Sequence, residues 1–152
     1  EQLVELARWA PSWKNTQIAR YVAVEDEALK NRIAEEATIP WNEGIIKGAP
    51  VLMVMTYVEK RCGYERDGSF STSKGDRWQN FDCGIAAATF ELAAHELGLG
   101  SVVLGIFEEE KLCELLELPE GIGVACLMPL GYPAEEPGAP KRKEVAELLT
   151  IK

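Results

Sequence analysis

A chain of 152 residues is one domain by length, and 47% hydrophobic with 27% charged residues is the balance of a globular protein that builds a real core. The formal net charge of −9 argues against nucleic acid or an anionic bilayer surface as a partner, since both require a basic footprint. No apolar run reaches the roughly 18 residues of a membrane span, and the four cysteines form no C-x-x-C pair, which argues against zinc or a redox dithiol.

In chain order, Glu1 to Trp9 reads as the end of a helix stopped by Pro11. It is amphipathic and acidic, unlike a signal peptide, and it opens in mid-helix without a Met, so an N-terminal segment is expected to be missing. A polar loop, Pro11 to Gln17, leads to a strand at Ile18 to Val24, recognisable by its β-branched and aromatic residues. Asp26 caps a helix from Glu27 to Ala37. Pro40 breaks the next stretch, with a short helix after it. Val51 to Val58, VLMVMTYV, is a strand buried on both faces.

Lys60 to Arg77 is polar and aperiodic, a long surface loop or lid. Trp78 to Leu97 is the helix around which the chain is organised. Trp78, Phe81, Ile85, Ala88 and Leu92 form one apolar stripe, and Cys83, Ala87, Phe90, Ala94 and Leu97 form a second. Only Asp82, Glu91, His95 and Glu96 are ionisable between Phe81 and Leu97, so the helix is expected to be buried on most sides, with a second subunit as one covering. Gly98 caps it, and Ser101 to Gly105 reads as a short buried strand. A helix at Phe107 to Leu116, a strand at Ile122 to Leu130, a Pro- and Gly-rich arm and a short helix at Glu144 to Leu149 complete an α+β order with four strands and no tight hairpin. Cys83, Cys113 and Cys126 sit in apolar neighbourhoods and read as buried free thiols, which points to a reducing compartment, the cytoplasm.

The familiar catalytic signatures are missing. His95 is the only histidine, which removes a histidine triad or multi-histidine metal site, and it reads as a helix residue with its ring against Leu92. Gly98-x-Gly100 has Val103 where a dinucleotide fingerprint needs its third glycine, and it follows a helix rather than a strand. Three stretches remain. Pro11 to Gln17 carries hydroxyl, amide and ammonium groups that suit either a heterocycle or a turn. Val103-Leu104-Gly105 offers backbone without an obstructing side chain, or simply a strand end. Lys141-Arg142-Lys143 puts three cations at a helix start, where the dipole opposes them unless an anion is present.

Taken together, ARWAPSWKNTQ, then APVLMVM, then W-x-x-x-D-x-G-I-A-A-A-x-x-x-L-A-A-x-E-L-G-L-G-S-x-x-L-G-x-F, then L-x-L-P-E-G, L-G-Y-P-x-E-x-P and K-R-K resemble the nitroreductase family of FMN-dependent oxidoreductases over essentially the whole chain. The resemblance implies a single domain over residues 1–152, with a mainly antiparallel central sheet flanked by helices. It also implies an obligate homodimer that binds FMN tightly at two interface sites. By matching position, Pro11, Ser12 and Trp13 would come from one subunit and line the flavin of the other's site. Asn15 and Gln17 would fix that loop or contact the flavin. Val103, Leu104 and Gly105 would lie along the ring, with the Gly105 N–H near N5. Asn42 would reach the pyrimidine edge, and Lys141 and Lys143, with Arg142, would hold the phosphate. The family's opening Arg-x-Ser-x-Arg segment has no counterpart in this chain.

The same resemblance implies ping-pong chemistry with NAD(P)H as donor and a nitroaromatic, quinone or similar small molecule as acceptor, and no side-chain acid or base is demanded. Two other readings stay open: a specialised flavin enzyme of the same fold, such as a dehalogenase or a flavin-destroying enzyme, and a non-catalytic FMN-binding dimer.

Overall fold

Strand β2 (Val51–Val58) is the centre of the molecule because both of its faces are apolar: Leu52 and Val54 point one way, Met53 and Met55 the other, as the two-residue period of a strand requires. The computed structural model describes residues 1–152. β2 pairs on one side with β1 (Ala19–Val24) and on the other with β4 (Ile122–Gly131). The two-residue β3 (Gly100–Ser101) closes an all-antiparallel sheet in the order β1-β2-β4-β3.

Helices cover both faces. Met53, Met55 and Met128 pack with Ala7 of α1 (Gln2–Ala7) and with Cys83, Ala87, Phe90 and Ala94 of α4 (Arg77–Glu96). Leu52, Val54 and Leu127 pack with α2 (Glu27–Ala37), α3 (Pro40–Gly48) and α5 (Glu109–Leu115). A register shift sets Met55 opposite Cys126 but Thr56 opposite Val124. The extra residue turns Val124 to the α2 face and Cys126 to the α4 face, so one bulge supplies both cores.

α2 and β2 fall where the sequence places them. Asp26 caps α2 through its carboxylate, which accepts the Leu29 N–H at 2.7 Å. α3 starts at Pro40 itself, the position where a missing N–H costs nothing. α4 ends in the expected glycine cap: Gly98 has φ +75°, its N–H donates to the His95 carbonyl, and the Leu99 N–H donates to the Ala94 carbonyl. No helix is long and apolar enough to cross a membrane.

Three expectations are corrected. The strand expected over Ser101 to Gly105 stops at Ser101; Val102 and Val103 are exposed, and only Leu104 returns to β4 as a single bridge to Leu127. In the shared register Pro129 stands opposite Val102, and it has no N–H with which to continue the ladder. α4 is not buried on most sides within one chain. Its second stripe is the core face, whereas Phe81 and Leu92 of the first stripe are 55% and 71% exposed, with Gly84 and Ala88 exposed between them. The segment Lys60 to Arg77 is the expected surface loop, and it is tied down: Tyr64 bridges Phe70, and a Cβ on Gly63 (φ +85°) would run into the Gly75 carbonyl. Cys113 is only partly buried and His95 is exposed, whereas Cys62, Cys83 and Cys126 are buried free thiols.

Candidate functional site

The loop Pro11 to Gln17 is held in a conformation that its own residues disfavour. Lys14, Asn15 and Gln17 have φ of +46°, +54° and +49°, a left-handed region that costs a residue other than glycine about 1 kcal/mol or more. A short 3-10 turn, Trp13–Asn15, follows Ser12. The Ser12 Oγ accepts the Gln17 N–H at 2.9 Å, and the Arg20 guanidinium donates to the Gln17 carbonyl at 2.8 Å. The Trp13 N–H donates to both oxygens of Asp82, at 3.1 Å and 2.9 Å. Asp82 lies on α4 and is 4% exposed.

Below this loop lies a cavity of about 380 Å³ whose wall includes Pro11, Ser12 and Gln17, with Arg8 and Arg20 among its polar groups and Ala7, Ile18, Tyr21 and Ala86 among its apolar ones. The Tyr21 hydroxyl is buried there without a hydrogen-bond partner, and burial, with Cys126 and Cys83 nearby, pushes it up to about 12. Burial, reinforced by the adjacent Asp82, likewise pushes the Cys62 thiol up to about 12, so it stays protonated and donates to Asp82 Oδ2 at 3.0 Å.

Above the loop is an aromatic wall. The rings of Trp13 and Trp78 are 6.5 Å apart, and Trp78 meets Phe81 edge-on at 5.5 Å. The Lys14 ammonium lies 4.4 Å from the Trp13 ring centre and 3.0 Å from Glu65 Oε1. Hydrogen bonds from Ser71 and then Lys14 hold the Glu65 carboxyl below the usual carboxylate range. The segment Lys60 to Arg77 therefore closes against the loop through Glu65 and through Cys62.

A second cluster forms beside β4, on the β3 edge of the sheet. Leu104 is clamped to Leu127, and the flanking segment is open: the Gly105 N–H is bonded to no other group of the protein, and a Cβ there would meet nothing within 4 Å. The buried Asn42 amide donates to the Ile106 carbonyl at 3.4 Å, which joins Asn42 to the Val103–Gly105 segment. Lys141, Arg142 and Lys143 lie on an exposed arm and make no ion pair; with Glu147 they border a shallow depression of about 310 Å³. The dipole expected behind them is negligible, because α6 (Val145–Leu148) has only four residues. Any anion there would be held by side-chain charge.

Residues 37–132 match the model of the nitroreductase family. The chain belongs to the nitroreductase family. It is 32% identical over 140 residues to a provisionally named NADH dehydrogenase/NAD(P)H nitroreductase of Archaeoglobus fulgidus, covering 90% of this chain and 73% of that protein. The fold is that of a solved nitroreductase family protein from Streptococcus pneumoniae, with TM-score 0.86 at 19% identity over 99% of this chain and 86% of the other. A solved FMN-dependent nitroreductase from Clostridium difficile is 26% identical, with TM-score 0.72 over 91% of this chain and 77% of that one.

In this nitroreductase fold the expected site residues form separate groups. Pro11, Ser12, Trp13, Asn15 and Gln17 share one loop; Asn42, Val103, Leu104 and Gly105 form a second cluster; Lys141, Arg142 and Lys143 stand on the arm. No hydrogen bond, ion pair or described cavity joins one group to another within the chain. Sequence reasoning missed Asp82, Cys62, Arg20 and Glu65 as partners of the first loop. The signal for Asp82 was its place as an acid beside the apolar residues of the first turns of the helix; Cys62 and Glu65 carried none, because their contacts span 20 and 51 residues of chain, and Arg20 reaches back only three residues but from within a strand.

Proposed function

We propose that this protein is an FMN-dependent NAD(P)H oxidoreductase that works as a homodimer in the cytoplasm, passing electrons from NAD(P)H to a nitroaromatic, quinone or similar acceptor. The observation that carries the reading is membership of the nitroreductase family. The residues present suit the cofactor. A glycine N–H without a partner, on a segment clamped one residue earlier, is a preorganised donor for the N5 edge of a flavin. Three unpaired cations suit its phosphate.

Bound FMN supplies hydride acceptance and donation at N5, which is why no histidine, metal or nucleophile is needed among the side chains. The chain's own residues bind and orient. Gly105 would donate to the ring edge, and the exposed Val103 and the Leu104 backbone would lie along it, the Leu104 side chain being buried in the core. Pro11, Ser12 and Trp13 line the ring from the partner chain, Asn15 and Gln17 keep that loop in shape, and Lys141, Arg142 and Lys143 neutralise the phosphate. Asn42 acts at one remove: it is buried and its amide donates to the Ile106 carbonyl, so it supports the ring-binding segment.

The dimer reading rests on α4. Phe81, Gly84, Ala88 and Leu92 make an exposed apolar stripe of the kind that marks an interaction surface. A two-fold contact along it would bring one chain's Pro11–Gln17 loop to the other's open segment.

The test is the visible spectrum of the purified protein with added FMN, followed by anaerobic NADH or NADPH. The expected result is a retained yellow chromophore that bleaches with NAD(P)H and recovers with a quinone or nitroaromatic. Retained colour that no nicotinamide bleaches would replace the reductase by a non-catalytic FMN-binding dimer, and no retained FMN would overturn the cofactor assignment.

A further inference from the structure

We propose that Asp82 is the positioning residue of the flavin site: its buried carboxylate receives the Trp13 amide and thereby fixes the left-handed turn that presents Ser12 and Trp13. This rests on the flavin reading above. Asp82 sits inside the apolar core face of α4, 4% exposed, with Cys83, Ala86 and Ala87 beside it. A carboxylate in such a place is costly unless it is hydrogen-bonded, and this one has no cationic partner. Its partners are the Trp13 N–H, shared between both oxygens, and the Cys62 thiol. Packing alone would be served better by an apolar side chain. What the carboxylate provides is an acceptor aimed out of the core at the first amide of a strained turn.

The turn is pinned at both ends. Asp82 holds its start, and Ser12 and Arg20 hold Gln17 at its finish. Between these points lie the left-handed Lys14 and Asn15, which such contacts keep from relaxing. The Cys62 thiol ties the same carboxylate to the start of the Lys60–Arg77 segment, and burial keeps that thiol protonated, so it is always available as a donor. An internal comparison lies one turn away on α4. Gln79 is also buried and also accepts a backbone N–H, that of Lys60 at 2.7 Å, but it serves the other loop.

The experiment compares Asp82→Asn with Gln79→Met in the full-length FMN-loaded protein. Asparagine keeps the size of Asp82 but turns amide hydrogens toward the Trp13 N–H or the Cys62 thiol. The expected result is that both variants fold with lowered stability, while only Asp82→Asn weakens FMN binding, by at least about tenfold as for loss of a hydrogen bond to a charged group. It should also alter the visible circular dichroism of the bound flavin and raise the KM for the acceptor more than it lowers kcat. FMN affinity and flavin dichroism left at the wild-type level in Asp82→Asn would overturn the proposal and leave Asp82 a structural residue. Amide hydrogen exchange on the wild-type protein decides the matter if Asp82→Asn does not fold. A Trp13 amide protected as strongly as the α4 backbone supports the clamp, and one exchanging as an exposed loop amide overturns it. If the wild-type chain retains no FMN, the flavin reading fails instead, and the exchange measurement still decides the clamp.

Discussion

Leu104 and Leu127 exchange both backbone hydrogen bonds, at 2.8 Å and 3.0 Å, on the far side of a gap in the sheet that Pro129 opens. The clamp holds the neighbouring Gly105 in place while leaving its N–H free. Gly105→Ala should therefore fold with stability within about 0.5 kcal/mol of wild type, because a methyl group there meets nothing. Gly105→Pro removes the donor and suits an extended Leu104, so it should fold and lose FMN affinity. A titration showing wild-type affinity in the proline variant would remove the Gly105 N–H from the site.

Lys141 and Lys143 are free of ion pairs, so their charge is available to a ligand. Charge reversal of either, Lys141→Glu or Lys143→Glu, should weaken FMN by about tenfold or more at low salt and leave riboflavin, which lacks the phosphate, unchanged. Flavin fluorescence titrations of both ligands check this, and equal losses for both would contradict a phosphate role.

Leu92 is 71% exposed at the end of the α4 stripe. In an isolated chain Leu92→Asp would change little; in a dimer it buries a charge in an apolar contact. Sedimentation should show wild type as a dimer and Leu92→Asp shifted to monomer, with the circular dichroism of a folded chain. A wild-type monomer, or a variant that dimerises undisturbed, would show that the stripe is not the interface.

Burial pushes the thiols of Cys62 and Cys83 up to about 12 and that of Cys126 to about 11, from an unperturbed 9.0. Above about pH 9 the unfolded chain gives up thiol protons that the folded chain keeps, so the unfolded state is favoured as pH rises. The stability from these buried neutral thiols is fully present below about pH 9 and is lost through the folded values. Urea midpoints should be flat near neutrality and fall steadily above about pH 9, and midpoints that rise in that range would contradict the burial.

Much of this was legible from local pattern. β2 and α2 announce themselves because an eight-residue, almost wholly apolar run and an Asp-capped helix are set by neighbours in sequence. α4 shows the limit. Two apolar stripes are visible in the sequence, but nothing local tells which one faces the sheet, and the stripe through Phe90 proved to be the core while that through Leu92 did not. β3 was overdrawn because the proline that ends it lies across the sheet, on β4. Asp82 was visible as an odd acid, yet its partner is 69 residues away, a separation that no periodicity reports.

The most direct test of a flavin site shared between two chains is complementation between two binding-deficient variants. One carries Ser12→Tyr, which blocks the Pro11–Gln17 loop, and the other carries Lys141→Glu with Lys143→Glu. Each alone should retain little FMN. After mixing under exchange conditions, about one quarter of the wild-type FMN capacity should return, because half the dimers are mixed and one of the two sites in each is intact. No recovery in a mixture shown to contain mixed dimers would contradict a site built from both chains.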